Sequence, residues 1–449
     1  MKNRKVHIVS LGCPKNLVDS EVMAALLSES GFQIIPWPDK AEIIVINTCA
    51  FILSAKEESI DGILRMAEWK RKGRGTCTHL IVTGCLPQRY GRTIEAQLPE
   101  VDLFLGTGEV PHIARHVERL SLEGAPSCRS LIGKPTFLMN AGHPRLILTP
   151  FYMAYLKIAE GCSNCCSYCV IPSVRGKGRS REVDGILTEA ESLAQKGVKE
   201  IIVTAQDTTA YGRDLREKPT LSDLLKKLAS LKGIRWIRLL YAYPTGLTED
   251  LLRTIAEEEK ICNYLDMPVQ HIDDGLLQAM NRRGASGEIR RAIIDARTTI
   301  PDVALRTSII VGFPGETQAK FNKLLAFIRK AKFDHLGAFT YSREEGTIAS
   351  SFPSRISEKE KETRRQLLME EQMSISREIN HSLLNSLQEV LIEGKSDIAH
   401  FPFVGRCRRQ APDIDGITYV KGEYLAPGDI VHCEIVAASE YDLFAERRE

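Results

Sequence analysis

Short apolar runs alternate with longer stretches of helical period along most of this chain. In its first third the runs are KVHIVSLG, AEIIVINT, HLIVTG and DLFLGTG, and segments 17–30 and 51–68 repeat their apolar positions with the helical period. Strand alternating with helix predicts a mostly parallel sheet covered on both faces. From residue 155 a second, more regular series begins. AYLKIAE, KEIIVTAQD, IRWIRLLYAY, NYLDMPVQ, ALRTSIIVGF and HLGAFTYS recur at intervals of about 30 to 40 residues, with amphipathic stretches between them. Six such units exceed what a small open sheet needs, so a partial or complete parallel barrel is predicted. Barrels of this kind carry chemistry at the carboxyl ends of their strands, where AEGC, AQD, PVQH and GFPGET fall.

The pattern then changes twice. Segment 357–387 is dense in charge and predicts one solvent-facing helix that ends the second unit. Beyond it LQEVLIEG, FVGRC, GITYV, GDIVHCEIV and YDLFAE are short, alternating and separated by Gly, Pro and Asp turns, which predicts a small all-β barrel. Between the first two series, Gly, Pro and Ser weaken the pattern, as in a linker. The expected architecture is α/β: an amino-terminal parallel sheet domain at 1–122, a linker at 123–147, a central partial (βα)6 barrel at 148–383 and a small β-barrel at 384–449.

Composition sharpens this picture only slightly. With 43% hydrophobic and 26% charged residues the chain reads as globular, and a net charge of +2 does not announce a nucleic-acid or membrane-surface binder. The first apolar segment is too short for a signal-peptide core, and no apolar run approaches the roughly 18 residues of a membrane span. A cytoplasmic protein is expected, without a membrane partner. In a reducing compartment its 12 cysteines read as metal ligands or redox groups rather than disulfides.

Four of them crowd into EGCSNCCSYCVIPSVRGKGRSR, at Cys162, Cys165, Cys166 and Cys169. Two C-x-x-C pairs suggest zinc, but zinc sites separate their pairs by a dozen or more residues, and here Cys165 and Cys166 are adjacent. Adjacent side chains generally point apart, so four thiolates from this octet would hold one ion only under strain. Cys162, Cys166 and Cys169 alone form C-x3-C-x2-C, which can hold three corners of a four-iron cluster and leave the fourth iron open. Cys13 in SLGCPKN, Cys49 in INTCAF and Cys85 in VTGCLP each follow an apolar strand of the first series. Strand ends of one parallel sheet share an edge, so these three thiols can meet there; the bland alternative is three inert buried cysteines. Cys77, Cys128, Cys262, Cys407 and Cys433 share no such pattern.

The C-x3-C-x2-C loop at the end of the first of six βα units resembles the radical S-adenosylmethionine (SAM) superfamily. Together with the three-cysteine first domain and the terminal β-barrel, it resembles the methylthiotransferases over essentially the whole chain. That resemblance implies a terminal TRAM barrel and two 4Fe-4S clusters, one on Cys162, Cys166 and Cys169 and one on Cys13, Cys49 and Cys85. It also implies two uses of SAM, one to methylate sulfur at the auxiliary cluster and one to make a 5′-deoxyadenosyl radical that activates a substrate C–H bond. Cys165 would then be a bystander, since the family loop fixes no residue before its second ligand. By resemblance, Gln206 and Asp207, Arg306 and the Gly312 to Glu316 turn lie where SAM or substrate would bind. The residues themselves leave other readings open: Gln206 and Asp207 as caps, Arg306 paired with a barrel carboxylate, and GFPGET as a plain strand-to-helix turn. His271 reads as structural, and Arg175, Lys177, Arg179 and Arg181 as a set that either neutralises a carboxylate or forms a solvated loop.

One branch of the family acts on an adenosine of tRNA and another on an aspartate of ribosomal protein S-twelve in the small subunit. SLGCPKNLVDSE, QDTTAYG, DMPVQHIDDGLLQAMNR and YSREEGT look like the protein-modifying branch, whereas GCQMN and GQNVNAY are expected of the tRNA branch. Segment 386–449 holds 12 acidic against 7 basic residues, which suits a basic ribosomal protein better than RNA, although Arg406, Arg408 and Arg409 form a basic cluster within it. The implied partners are that ribosomal protein, an electron donor such as flavodoxin or ferredoxin, and a sulfur donor of unknown kind. Both clusters are expected to face one cavity, closed when the terminal barrel docks the substrate. A tRNA-modifying enzyme and a non-catalytic iron–sulfur protein remain the alternatives; a cobalamin enzyme fits less well, because the first domain carries no D-x-H-x-x-G.

Overall fold

The computed structural model describes residues 3–71, 73–353 and 356–448. The first sheet has 6 parallel strands: β1 (Lys5–Ser10), β2 (Gln33–Ile34), β3 (Ile43–Thr48), β4 (His79–Gly84), β5 (Leu103–Leu105) and β6 (Ser130–Leu131), in the order β2-β1-β3-β4-β5-β6. The apolar runs mark β1, β3, β4 and β5. β2 and β6 have two residues each, too few to leave a period, and β6 lies inside the segment expected to be a linker. β3 is buried along its whole length because helices cover both faces.

The helix Pro14–Glu29 follows β1, with Pro14 fixing the backbone at its first turn. It buries Lys15, Asn16, Asp19, Ser20 and Glu21 as well as its apolar residues. The reason is its position: it packs on β1 and also on the first strand of the second sheet.

That second sheet contains β7 (Met153–Lys157), β10 (Glu200–Thr204), β11 (Trp236–Leu239), β12 (Ile261–Asp266), β13 (Ala304–Val311) and β14 (His335–Thr340), all parallel, in the order β14-β13-β12-β11-β10-β7. Between β7 and β10, β8 (Ala159–Glu160) and β9 (Arg179–Ser180) form a small antiparallel pair. Sequential order with right-handed crossovers puts the helices on one face, so the sheet curls about the other into a partial barrel. Alternation bears this out: Leu156, Val203, Leu239 and Leu305 pack outward with the helices, while Tyr155, Ile202, Trp236 and Tyr264 pack inward.

The charged segment forms the helix Glu358–Ser382, but it is not simply solvent-facing. Lys361, Arg364, Leu368, Gln372 and Ile375 recur at helical spacing and are buried against β14 and its neighbouring helix. The stems of Lys361 and Arg364 supply apolar surface that a charge count does not register.

The last unit is a closed barrel of β15 (Leu387–Lys395), β16 (Phe403–Cys407), β17 (Thr418–Lys421), β18 (Ile430–Ala438) and β19 (Leu443–Arg447). It seals the amino ends of the central strands. Arg406 Nη2 donates to Glu200 Oε2 at 2.6 Å, Arg408 Nη2 donates to the carbonyls of Glu259 and Ile261 at 2.6 and 2.7 Å, and Tyr264 Oη donates to Asp415 Oδ2 at 2.7 Å. The cysteine motifs follow the carboxyl ends of their strands, so the expectation that this barrel closes over them is corrected: it caps the opposite end. Its arginine cluster is also spent on the junction, Arg409 pairing with Asp334, and so are its own Glu389, Glu393 and Asp415. Among the described residues no helix is long and apolar enough to cross a membrane.

Candidate active site

Cys162 follows β8 directly, and the loop through Cys169 is held by backbone contacts rather than regular structure. Asn164 N–H donates to Cys162 Sγ at 3.5 Å and Ile171 N–H to Cys169 Sγ at 3.4 Å, bonds that favour the thiolate form a metal requires. The segment after the helix Asp274–Ala279 clamps the loop from outside. Ser167 N–H donates to the Met280 carbonyl at 2.9 Å, Asn281 Nδ2 donates to the Cys165 carbonyl at 2.8 Å, and Arg283 bonds the Asn164 side chain. Cys165 has φ +54 and is exposed, so the chain reverses there and carries its thiol out of the loop. Burial pushes the Cys169 thiol up to about 12, and Cys166 and Cys162 push it the same way.

The other three thiols sit at one edge of the first sheet. Cys13 is the N-cap of helix Pro14–Glu29, Cys49 follows β3, and Cys85 opens a short helix after β4. Gly12 has φ +87, and a Cβ there would lie 2.5 Å from Cys49 Cβ, so only glycine lets the first two loops approach this closely. Asn16 ties the strand ends together: its Nδ2 donates to the carbonyls of Leu11 and Thr48 at 3.0 and 2.9 Å, and Cys85 Sγ lies 3.8 Å from its Oδ1. Burial drives the Cys49 thiol up to about 12, with Cys85 and Cys13 adding to it, and burial likewise raises Cys85.

Arg175, at the end of helix Ile171–Arg175 behind the first loop, reaches across to the second set. It pairs with Asp19 and Glu160, bonds the Asn16 side chain, and opposes the upward push on Cys49 and Cys85. Lys157 pairs with the same two carboxylates. Burial would raise Glu160, but Lys157 and Arg175 outweigh it and hold the carboxyl down at about 2. Gln206 Nε2 donates to Glu160 Oε1 at 2.7 Å. Lys15 Nζ stands 3.5 Å from the ring centroid of Tyr241, a residue at φ +60 just beyond β11. A left-handed tyrosine costs of the order of 1–3 kcal/mol. Its N–H donates to Asp266 Oδ2 at 3.0 Å and its carbonyl accepts from Thr208 N–H at 3.1 Å, which hold it there.

The other residues singled out by sequence separate into two groups. Gln206 and Asp207 lie at this end of the strands; Asp207 Oδ2 accepts from Asn164 Nδ2 at 2.8 Å, which links it to the first loop. Arg306 lies early in β13 and is engaged by Asp266 at 3.0 Å and by Asp415 of the terminal barrel at 3.3 Å. Glu316 is buried; its Oε2 accepts from Gly312 N–H and its Oε1 from Arg364 Nη1 at 2.9 Å, while burial raises its carboxyl above the usual range. The Gly312 to Glu316 turn nevertheless reaches the cysteine loop through Phe313, whose ring centroid is 6.5 Å from that of Tyr168. His271 is fully buried, and burial lowers it to about 4. Arg181 pairs with Glu189 inside the protein, and Arg179 donates to the carbonyl of Pro135 at 3.0 Å, so the basic run is not a free patch.

Sequence reasoning missed Lys15, Asn16 and Asp19, and the Met280–Arg283 clamp. The signal for the first three was there: Lys15, Asn16, Asp19, Ser20 and Glu21 are polar residues crowding one end of an otherwise apolar helix.

The residues fit the groups the motifs imply. Cys49 and Cys85 are buried and Cys13, Cys162, Cys166 and Cys169 half-buried, and within each trio the thiolates repel one another, so that bound iron would supply the missing positive charge. Among the described residues no three Cys, His, Asp or Glu side chains converge on one ion. A four-iron cluster sets each thiolate on a different iron and needs a wider spread. Gln206 Oε1 and Thr204 Oγ1 are buried without a partner at the same strand end, as a polar ligand such as SAM requires. Two cavities lie elsewhere, one of about 750 Å³ beside Arg145 and Thr188 and one of about 410 Å³ beside Lys199 and Arg447.

Residues 5–106 match a family described as uncharacterized protein family UPF0004, 156–328 the radical SAM superfamily, and 386–447 the TRAM domain. The chain is 62% identical over 450 residues to the ribosomal protein uS12 methylthiotransferase RimO of Syntrophus aciditrophicus (strain SB), covering 99% of each chain. It is 51% identical over 442 residues to the protein of the same name from Geobacter sulfurreducens, covering 98% of each. Among solved structures, the radical SAM methyltransferase TsrM of Kitasatospora setae, with cobalamin and a 4Fe-4S cluster bound, superposes with a TM-score of 0.57 at 14% identity, over 89% of this chain and 82% of that one. That likeness is one of fold.

Proposed function

The chain belongs to the RimO family of radical SAM methylthiotransferases, and from that premise we propose that it adds a methylthio group to the β-carbon of an aspartate in ribosomal protein uS12. The observation that carries this reading is the bridge made by Arg175, which leaves the C-x3-C-x2-C loop and bonds Asn16 and Asp19 beside the second set of cysteines. When bound, two 4Fe-4S clusters and SAM supply the electron, the methyl group and the sulfur-handling centre that substitution at an unactivated carbon needs.

The protein's own residues hold and orient these groups. Cys162, Cys166 and Cys169 would ligate one cluster and Cys13, Cys49 and Cys85 the other, each loop stiffened by the backbone bonds described above. Lys157 and Arg175 balance Asp19 and Glu160, so the partition between the two sites is rigid and electrically neutral. Glu160 fixes Gln206, whose unpartnered Oε1 is left to accept a hydrogen bond from a ligand. Asp207, held by Asn164, forms part of the rim where the substrate enters. Burial keeps water from the reacting carbon. We assign Arg306, Gly312 and Glu316 a supporting role rather than direct SAM contact, since their polar groups are already engaged. The domain division at 1–122, 123–147, 148–383 and 384–449 accommodates this arrangement, with β6 as a strand contributed by the connecting segment. A one-electron donor such as flavodoxin or ferredoxin and a separate sulfur source complete the reaction, in the cytoplasm where uS12 is made.

The test is anaerobic reconstitution with iron and sulfide, then intact mass of uS12 after incubation with enzyme, SAM and reductant. One methylthio group on an aspartate is the expected result. Unchanged uS12, with methylthioadenosine appearing in a parallel tRNA digest, would move the enzyme to the tRNA-modifying branch.

A further inference from the structure

We propose that the Lys15 ammonium binds the side-chain carboxylate of the target aspartate and so sets the enzyme's preference for an acidic residue; this rests on the aspartate-modifying function above. Lys15 is only 8% exposed, yet among the described residues its ammonium has no carboxylate partner. Its neighbours differ: Lys157 and Arg175 each pair with Asp19 and Glu160, two cations against two anions. Lys15, like Arg282 beside the cysteine loop, is a cation at this end of the barrel with no carboxylate of its own. The ring of Tyr241, 3.5 Å away, offsets part of its desolvation, and Cys13 and Glu160 favour its charged form from nearby, but none of them gives the buried ammonium a carboxylate at ion-pair distance.

The placement suits the reaction. Lys15 lies two residues past Cys13, and Tyr241 lies two residues past the end of β11, so the ammonium stands where the first domain meets the barrel mouth. Tyr241 is held at φ +60 by bonds from the end of β12, through Asp266, and from the loop after β10, through Thr208. Strain maintained by those contacts, beneath a cation that has no carboxylate of its own, marks a position built for a ligand. In aspartate the β-carbon is bonded directly to the carboxyl carbon. An ammonium holding that carboxylate at about 2.8 Å therefore fixes the reacting carbon within about 5 Å of itself. Neutral side chains at the target position gain nothing from it.

The experiment uses reconstituted holoenzyme, wild type, Lys15→Met and Lys15→Arg, with uS12 carrying either the native aspartate or asparagine at the target position. Binding is read by calorimetry, modification by mass, and the clusters by iron content and electron paramagnetic resonance. Wild type should favour aspartate over asparagine by about 10- to 100-fold in affinity. K15M should reduce that ratio to below about threefold, and K15R should restore part of it, with iron content and cluster spectra unchanged. K15M retaining the full ratio overturns the assignment. A shifted auxiliary-cluster spectrum with the ratio intact also overturns it and gives the cation to the cluster instead. Wild-type enzyme that leaves uS12 unmodified sinks the proposed function and this assignment together, whereas modification by wild type with the ratio intact in K15M sinks this assignment alone.

Discussion

At the amino ends of the central strands Glu200 is enclosed with Arg238 and Arg406; near the carboxyl ends Glu160 is enclosed with Lys157 and Arg175. In both places two cations overcome burial and hold the carboxyl down at about 2. By charge and burial alone the two ends are alike. They differ in what surrounds the pair. The amino end is plugged by the terminal barrel, with Arg408 on strand-end carbonyls and Asp415 on Tyr264. The carboxyl end gathers six loop thiols, a lysine without a carboxylate and a glutamine oxygen without a donor. A perturbed carboxylate therefore marks a sealed joint as readily as a reaction site. Groups left without partners are the better guide.

The largest effect should come from removing a ligand at the carboxyl end. Cys162→Ala, Cys166→Ala or Cys169→Ala should each abolish methylthiolation and lower bound iron by about half, read by activity and iron assay, while circular dichroism stays that of the folded protein. Next, Glu200→Gln at the amino end strips buried Arg238 of its carboxylate and Arg406 of one of its two, Glu393 remaining. It should cost about 3–5 kcal/mol in urea unfolding and expose the junction near residue 384 to protease, with iron content preserved. Loss of iron in that variant would show that the two ends are coupled.

A smaller effect follows from pH. A glutamate ordinarily titrates at 4.5, and Glu200 is held at about 2, so its contribution is complete above the ordinary value and is lost as pH falls through the depressed one. Apoprotein stability should fall by the order of 3 kcal/mol from this group between about pH 5 and pH 2, and Glu200→Gln should flatten that part of the urea-midpoint profile. The smallest effect is expected at Cys165. Its exposed thiol belongs to neither trio, so Cys165→Ser should change stability by less than about 0.5 kcal/mol and leave iron content and activity within about twofold.

The two trios of cysteines were legible because thiols have few other uses in a reducing compartment and because apolar runs mark strand ends. The long strands were legible for the same reason, while β2 and β6 were too short to show a period. The family resemblance placed Arg306 and Glu316 where SAM or substrate would bind, with Arg306 on a barrel carboxylate as the other reading, and short stretches of sequence do not show which partners a charge will meet. The fold supplies partners at Asp266, Asp415 and Arg364, up to 109 positions away in the chain. The arginine cluster of the terminal barrel was misleading in the same way, since Arg406 meets Glu200 across 206 residues.

The sequence by itself determined the three units, the direction of their strands, and which thiols fall together in one loop or at the strand ends of one sheet. These depend on local periodicity and on side-chain chemistry, both of which are written in short stretches of chain. Only the tertiary structure decided which charges are spent and which remain free, which end of the barrel is stoppered, and that Lys15 stands beside Tyr241 without a counter-charge. Electrostatic pairing depends on distance in space, and Lys157 and Arg175 meet Asp19, as Arg406 meets Glu200, across more than a hundred positions of chain.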